Sequence, residues 1–230
     1  MKYFILLFTA LFVFSCGKDK VVLLPEISHS EITDIKDVSA AYIFYDETKP
    51  DSTELNRRNL ISTTNWLINV DKRLTLKQVI PHIKFLQDKK GNSSHKNENA
   101  RNYFTCNDTS RKSLGFIEFT EVVYHEETIR EYNKNDVCKT KPDQEIYVKV
   151  RSLDSISIHF ATGDCASTNP TNKYDLLNGI KSDLIQEGVV ILHLGYYKNS
   201  SFQDYIAIKS KLNSLDLGHV VISKDEFIFN

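Results

Sequence analysis

The run Val189-Val190-Ile191-Leu192 constrains this chain more than any other segment. Consecutive apolar side chains on an extended strand point to both faces, so both faces must be covered, which places such a strand at the centre of a sheet. Its flanks agree. Gly188 is a helix stop before it, and the capping-box pattern Ser200-Ser201-Phe202-Gln203 opens a helix after it. The preceding helix is expected from about Lys173, capped by Asn172, with Tyr174, Leu177, Ile180 and Leu184 on its apolar face. The following helix carries Phe202, Tyr205, Ile206, Leu212 and Leu215 at helical spacing. Val220-Val221-Ile222 and Phe227-Ile228-Phe229 read as two short closing strands.

The earlier part of the chain repeats this order. Ala40 to Tyr45 and Trp66 to Val70 are aromatic and β-branched, as strands are. Thr75-Leu76-Lys77-Gln78 is another capping box, opening a helix with Leu76, Val79, Ile80, Ile83 and Leu86 on one face and Gly91 as its stop. Pro81 removes a hydrogen bond inside that helix, so a kink or a later start is expected. The polar stretch from Gly91 to Ser113 reads as a long loop. Leu114 to Tyr124, Gln144 to Arg151 and Ser155 to Phe160 read as strands. The fold class is therefore α+β, a mixed β-sheet with two or three amphipathic helices packed on it. The unit Trp66 to Leu86 has the order of Val189 to Leu215. Two similar halves, 39–143 and 144–230, within one domain are one reading; two unrelated uses of a common unit are the other.

Composition narrows the function classes. Of 230 residues, 41% are hydrophobic and 26% charged, which excludes a disordered or multi-span membrane chain. With 29 basic and 30 acidic side chains the net charge is -1, so no basic field invites nucleic acid as a partner. The N-terminus is different in kind. Met1-Lys2, the apolar run Tyr3 to Phe14 and the small residue Ser15 form a signal peptide over residues 1–15. The run is too short for a ~30 Å hydrocarbon core, which needs about 20 residues. Val13-Phe14-Ser15-Cys16-Gly17 resembles the lipobox of bacterial lipoproteins of the bacteroidete type. That resemblance implies cleavage before Cys16, lipidation of Cys16 with palmitate among its acyl chains, and a membrane partner held through the N-terminal lipid. Gly17, in place of a retention aspartate, implies the outer membrane, with the protein facing the periplasm or the cell surface. Residues 16–38 are then expected to be the lipidated cysteine and a flexible tether, and residues 39–230 the folded domain.

Asp183 to Leu194, followed by Ser200 to Leu212, resembles the end of the periplasmic domain of the ExbD/TolR biopolymer-transport family, where a strand, a polar turn and a Tyr-Ile-containing helix occur in that order. No counterpart of that family's membrane helix and proton-coupling aspartate is present in the sequence. The resemblance therefore implies a module that docks on an envelope protein or cell-wall partner, not energy coupling.

Chemistry is sparse. Besides Cys16, the cysteines are Cys106, Cys138 and Cys165. A Cys106–Cys138 disulfide is expected across the long polar connections, where loop closure is worth ~3 kcal/mol; three reduced thiols are the alternative. Cys165, with His159 and Asp164 nearby in sequence, could form a nucleophile and base pair, although a loop through Gly163 and Asn169 accounts for the same residues. The seven histidines have no zinc-ligand spacing, and no glycine-rich phosphate loop occurs. No catalytic residue, metal or cofactor is assigned. Glu126-Glu127 and Asp225-Glu226 read as solvated carboxylates. Tyr196, Tyr197 and His193, at the end of the central strand, form the candidate binding surface; core packing or ordinary loop placement is the alternative. The function these features favour is a non-enzymatic binding or accessory module of the envelope. The alternative is a periplasm-facing hydrolase without a recognisable motif.

Overall fold

Alternation along the apolar segments decides which side chains face inward, and two sheets result. The structure is a computed structural model that describes residues 20–95, 97–127, 144–162, 165–182, 184, 188–215 and 218–230, with the side chains of 161, 162 and 165–167 excepted. The first sheet contains β1 (Glu26–Ile27), β2 (Val38–Tyr45), β3 (Thr53–Asn56), β4 (Asn65–Val70), β5 (Asn102–Asp108) and β6 (Ser113–Glu118), with α1 (Leu76–Gly91) between β4 and β5. The second contains β7 (Val123–His125), β8 (Gln144–Ser152), β9 (Ser155–Thr162), β10 (Cys165–Thr171), β11 (Val190–Tyr197) and β12 (Val220–Phe229). Helix α2 (Leu176–Ser182) precedes β11, and α3 (Phe202–Asn213) joins β11 to β12. Two mixed six-stranded sheets with helices make this an α+β fold.

The two sheets share a strand plan. In the first, β3 is antiparallel to β2, and β2, β4 and β5 follow in parallel. In the second, β9 is antiparallel to β8, and β8, β11 and β12 follow in parallel. Each sheet and its helices form a lobe. The lobes meet where α1 and α3 begin, at an antiparallel bridge between Thr75 and Ser201. Leu76 N donates to Ser200 O (3.0 Å) and Phe202 N to Leu74 O (2.7 Å); Lys77 N donates to Lys198 O (2.7 Å) and Gln203 N to Lys72 O (3.2 Å). These bonds form equivalent pairs. Residues 76 and 202, 74 and 200, 77 and 203, and 72 and 198 all differ by the same 126 positions, so a local pseudo-two-fold axis passes between Thr75 and Ser201. A single buried cluster runs through both lobes, from Trp66, Ile80 and Phe104 to Leu192, Tyr205 and Ile206.

Several expectations need correction. Helix α1 starts at Leu76, without the later start that Pro81 suggested. Pro81 lies on the exposed side of the helix, where water can reach the carbonyl its missing N–H leaves free. The helix before β11 is shorter than expected and begins at Leu176. Asn172 Oδ1 instead closes a turn by accepting from Tyr174 N and Asp175 N, and Leu176 and Ile180 are buried while Tyr174 is exposed. The stretch expected as a loop contains β5, the strand that pairs with β4, β1 and β6. Its polar residues Asn102, Thr105 and Asp108 are buried.

The expected tether is also folded, from Lys20 onward. Residues 20–32 form a strap that crosses the first lobe and touches the second. Leu23 N donates to Asp71 Oδ2 (3.2 Å) and Lys72 N to Leu23 O (2.8 Å); Asn107 N donates to Pro25 O (2.8 Å) and Thr109 N to Ile27 O (3.0 Å). Gln203 of α3 bonds Glu26 twice, accepting from its N–H (2.8 Å) and donating to its carbonyl (3.0 Å). Ile27 is buried, and a fully buried side chain of its size contributes about 1.5–3 kcal/mol. Asp108 pins the far end, accepting from Ser30 N (2.7 Å) and His29 N (3.2 Å).

Two predictions follow from the strap's seating. A Cβ on Gly115 would lie 2.5 Å from the Ser30 Cβ, so Gly115→Ala must push the strap away from β6. A loss of about 1–3 kcal/mol in urea unfolding is expected, as for other overpacked sites, with early proteolytic cleavage in residues 20–32; wild-type stability would contradict the packing. The second concerns acid. The Ser110 hydroxyl, then the Ser30 amide, hold the Asp108 carboxyl well below its ordinary value of 3.8. A depressed folded value gives stability that is complete above the unfolded pKa and is lost as pH falls below it. Asp108→Asn should therefore lower stability at neutral pH and flatten its decline below about pH 4, as read by thermal unfolding across pH.

Candidate functional site

The outer face of the second sheet carries His193 and Tyr197, two of the three residues of the expected binding surface. Ile146, Val148, Val150, Leu192, Leu194 and Tyr196 face the core, so Glu145, Tyr147, Lys149, His193 and Tyr197 alternate onto the other side. Backbone register aligns His193, Tyr147, His159 and Thr168 in one row across β11, β8, β9 and β10. The Tyr147 ring stacks on His193 at 4.8 Å and 13°. The Tyr147 hydroxyl donates to the Glu145 carboxylate, which also lies 4.0 Å from His193 Nε2. Tyr197 is half-buried, its hydroxyl accepting from Asn199 Nδ2 at 3.0 Å.

Tyr196 does not belong to that face. It is fully buried, its ring edge-on to Tyr205 at 4.9 Å, so the expected surface keeps His193 and Tyr197 and loses Tyr196. The backbone register sets Cys165 apart from His159. Cys165 pairs with Thr162, three positions along the ladder from His159 and Thr168, a backbone separation of about 10 Å, and Asp164 lies outside the described residues. Both His159 nitrogens are engaged, Nδ1 with Thr168 Oγ1 at 2.7 Å and Nε2 with Ser157 Oγ at 3.1 Å. Burial, aided by the Lys149 charge, lowers the pKa of its imidazole. Cys106 is a free, fully buried thiol on β5, its pKa pushed up to about 12 by burial. Its expected partner Cys138, like Cys16, lies outside the described residues.

A second constellation is internal. Tyr205 donates to Glu226 Oε2 (2.8 Å), Lys209 donates to Glu226 Oε1, and the Tyr124 and Tyr205 hydroxyls share a hydrogen bond of 3.0 Å. The Tyr196 hydroxyl, buried beside them, has no hydrogen-bond partner among the described residues. Burial and then the Glu226 charge raise the pKa of all three tyrosines. Glu226 itself is 1% exposed, which overturns its reading as a solvated carboxylate. The cause is a register shift in β12. Ile222 pairs with Leu192 but Glu226 with Leu194, so two extra residues bulge between them, joining the two expected short strands into one and setting Glu226, in place of Lys224, opposite the inward-facing Leu194. A sequence pattern of period two has no means of locating that bulge.

The pseudo-two-fold axis shows what the cluster replaces. By the 126-residue shift and the strand register, Tyr196, Tyr205, Lys209 and Glu226 correspond to Val70, Val79, Ile83 and Phe104, all fully buried. One lobe builds this layer from hydrocarbon, the other from phenols and an ion pair. Nothing in the strand plan requires the polar version.

The third feature is a cleft of about 540 Å³ at the lobe junction. The strap contributes Ser28 and His29, the first lobe Thr109, and α3 Gln203, Ser210 and Lys211. Among the described residues no three His, Cys, Asp or Glu side chains converge as a metal site, and no helix is long and apolar enough to cross a membrane.

The internal ion pair yields a test. Removing one partner of a buried pair leaves a charge uncompensated, at a cost of about 3–5 kcal/mol, whereas replacing both by hydrocarbon is often neutral. Lys209→Met alone should therefore destabilise strongly, and Lys209→Met with Glu226→Leu should recover most of the loss in urea unfolding. Equal losses in the single and double variants would mean the pair is not coupled. Comparison of the chain with family models, with curated proteins and with solved structures found no match in any of the three.

Proposed function

We propose that this protein is a lipid-anchored lipoprotein of the bacterial outer membrane whose α+β module is a non-enzymatic binding or accessory component of the envelope. The observation that carries the binding reading is the junction cleft, to which both lobes and the strap contribute. Pockets form preferentially at such junctions, and this one presents hydroxyl, amide and ammonium groups suited to a polar envelope partner, a protein or cell-wall segment. The anchor rests on the sequence around Cys16. β11, its polar turn and α3 have the order of strand, turn and Tyr205-Ile206 helix on which the ExbD/TolR resemblance rests.

The experiment has two arms. In cells given labelled palmitate, the full chain should carry label and fractionate with the outer membrane, and Cys16→Ser should lose both; label surviving in the serine variant would end the anchor assignment. A photo-reactive residue at Ser210 should give a discrete, saturable adduct in intact cells. Absence of any adduct from the cleft would remove the binding reading.

A further inference from the structure

We infer that the β2–β3 edge of the first lobe, from the hairpin turn to the Arg57-Arg58 turn at the other end of β3, lies against the bilayer and contacts anionic phospholipid headgroups through Arg57, Arg58 and Lys89. This rests on the Cys16 anchor proposed above. The starting point is how little free chain separates that anchor from the fold. Lys20 is already fixed, its ammonium ion-paired with Asp46 at 2.9 Å and with Glu54. Just beyond it, Leu23 is tied to Asp71 and Lys72. Only Gly17, Lys18 and Asp19 separate Cys16 from Lys20. Four residue steps span at most about 14 Å even when fully extended, where a free tether over 16–38 would reach on the order of 75 Å.

A leash of that length removes the freedom to present any face to the membrane. The Lys20 attachment point must stay within its reach, so the elements around it form the proximal face. Charge is divided along this edge. At the hairpin, Asp46 and Glu54 pair with Lys20, and Lys49 lies 3.9 Å from Glu54. Glu47 and the exposed Asp51 have no cation partner among the described residues, so the hairpin itself supplies no positive excess and the cations must come from the far end of β3. Following β3 along the same edge, Arg57, Arg58 and Lys89 are exposed and have no carboxylate partner among the described residues. The Arg57 guanidinium sits over the Phe85 ring at 4.9 Å, and that ring is itself exposed, so a cation and an apolar surface are offered together. Basic side chains held within a Debye length of an anionic leaflet are attracted to it.

The test uses the full-length acylated protein in vesicles of phosphatidylethanolamine and phosphatidylglycerol, with the acyl mass on Cys16 read first. Amide exchange over residues 46–58 should slow by about fivefold or more relative to the unlipidated Cys16→Ser chain, with no change over β9 and β10. A long Gly-Ser insertion between Gly17 and Lys18 should abolish the slowing without changing acylation or the thermal midpoint. Charge reversal at Arg58 and Lys89 should reduce it. Acylated protein with no slowing at 46–58, or with slowing indifferent to both changes, overturns the orientation and leaves the anchor standing. Absence of an acyl chain on Cys16 overturns the anchor, and the orientation with it.

Discussion

The first amides of a helix have no partner within it, and in this protein the partner comes from the other lobe. Leu76 and Lys77 open α1, Phe202 and Gln203 open α3, and each pair donates to carbonyls in the turn that precedes the opposite helix. Within each helix the cap is a side-chain matter: Gln78 Oε1 accepts from Thr75 N, and Ser201 Oγ from Asp204 N. The remaining donors are met reciprocally across the pseudo-two-fold axis. Separating the lobes would leave four backbone donors and four acceptors to be solvated anew and would expose a cluster continuous through both sheets. An unsatisfied buried group costs about 1–3 kcal/mol, so the two lobes form one cooperative unit in spite of their separate sheets.

Because that junction is built from main chain, it places few demands on side-chain identity. Two lobes with one strand plan can differ in their side chains around it, and they do. Val70, Val79, Ile83 and Phe104 occupy the layer that Tyr196, Tyr205, Lys209 and Glu226 fill in the second lobe. Buried ion pairs contribute weakly to stability compared with hydrocarbon of similar volume, so the polar layer is not what the fold needs most. What it adds is a link. Tyr124 on β7 follows directly from the first lobe's β6, and its hydroxyl bond to Tyr205 ties the crossover strand to the second lobe's ion pair.

Much of the secondary structure was legible in the sequence, for reasons that also explain what was missed. The capping box at Thr75 and the apolar faces Leu76 to Leu86 and Phe202 to Leu212 are local signals, and both helices lie where those signals put them, although α3 is capped by Ser201 rather than by the box expected from Ser200, because Gln203 bonds Glu26 of the strap instead. The central strand was equally local. β5 was hidden because its inward residues Phe104 and Cys106 are separated by polar ones that are also buried, and Lys90 pairing with Asn102 at 2.8 Å has no signature along the chain. The strap reads as tether because Lys20, Glu26 and His29 look solvated until their distant partners are known. At the site, His193 and Tyr197 share the outer face of the second sheet, while Tyr196 turns inward because β11 runs on through it to Tyr197, a strand end that no local signal fixes. The Glu226 cluster depended on a bulge set by pairing with β11.

The strap has a consequence for the order of events in folding. Its residues are the earliest of the described chain to be synthesised and, in an exported protein, the earliest to cross the membrane. Yet Glu26 finds its partner Gln203 at a separation of 177 residues, and Ser30 finds Asp108 at 78. Contacts of such range close slowly, because loop entropy is lost before any interaction rewards it. The N-terminal segment can find its first-lobe partners only after Asp108 has followed it, and Gln203 only after nearly the whole chain has, so complete docking of the strap reports that both lobes are in place.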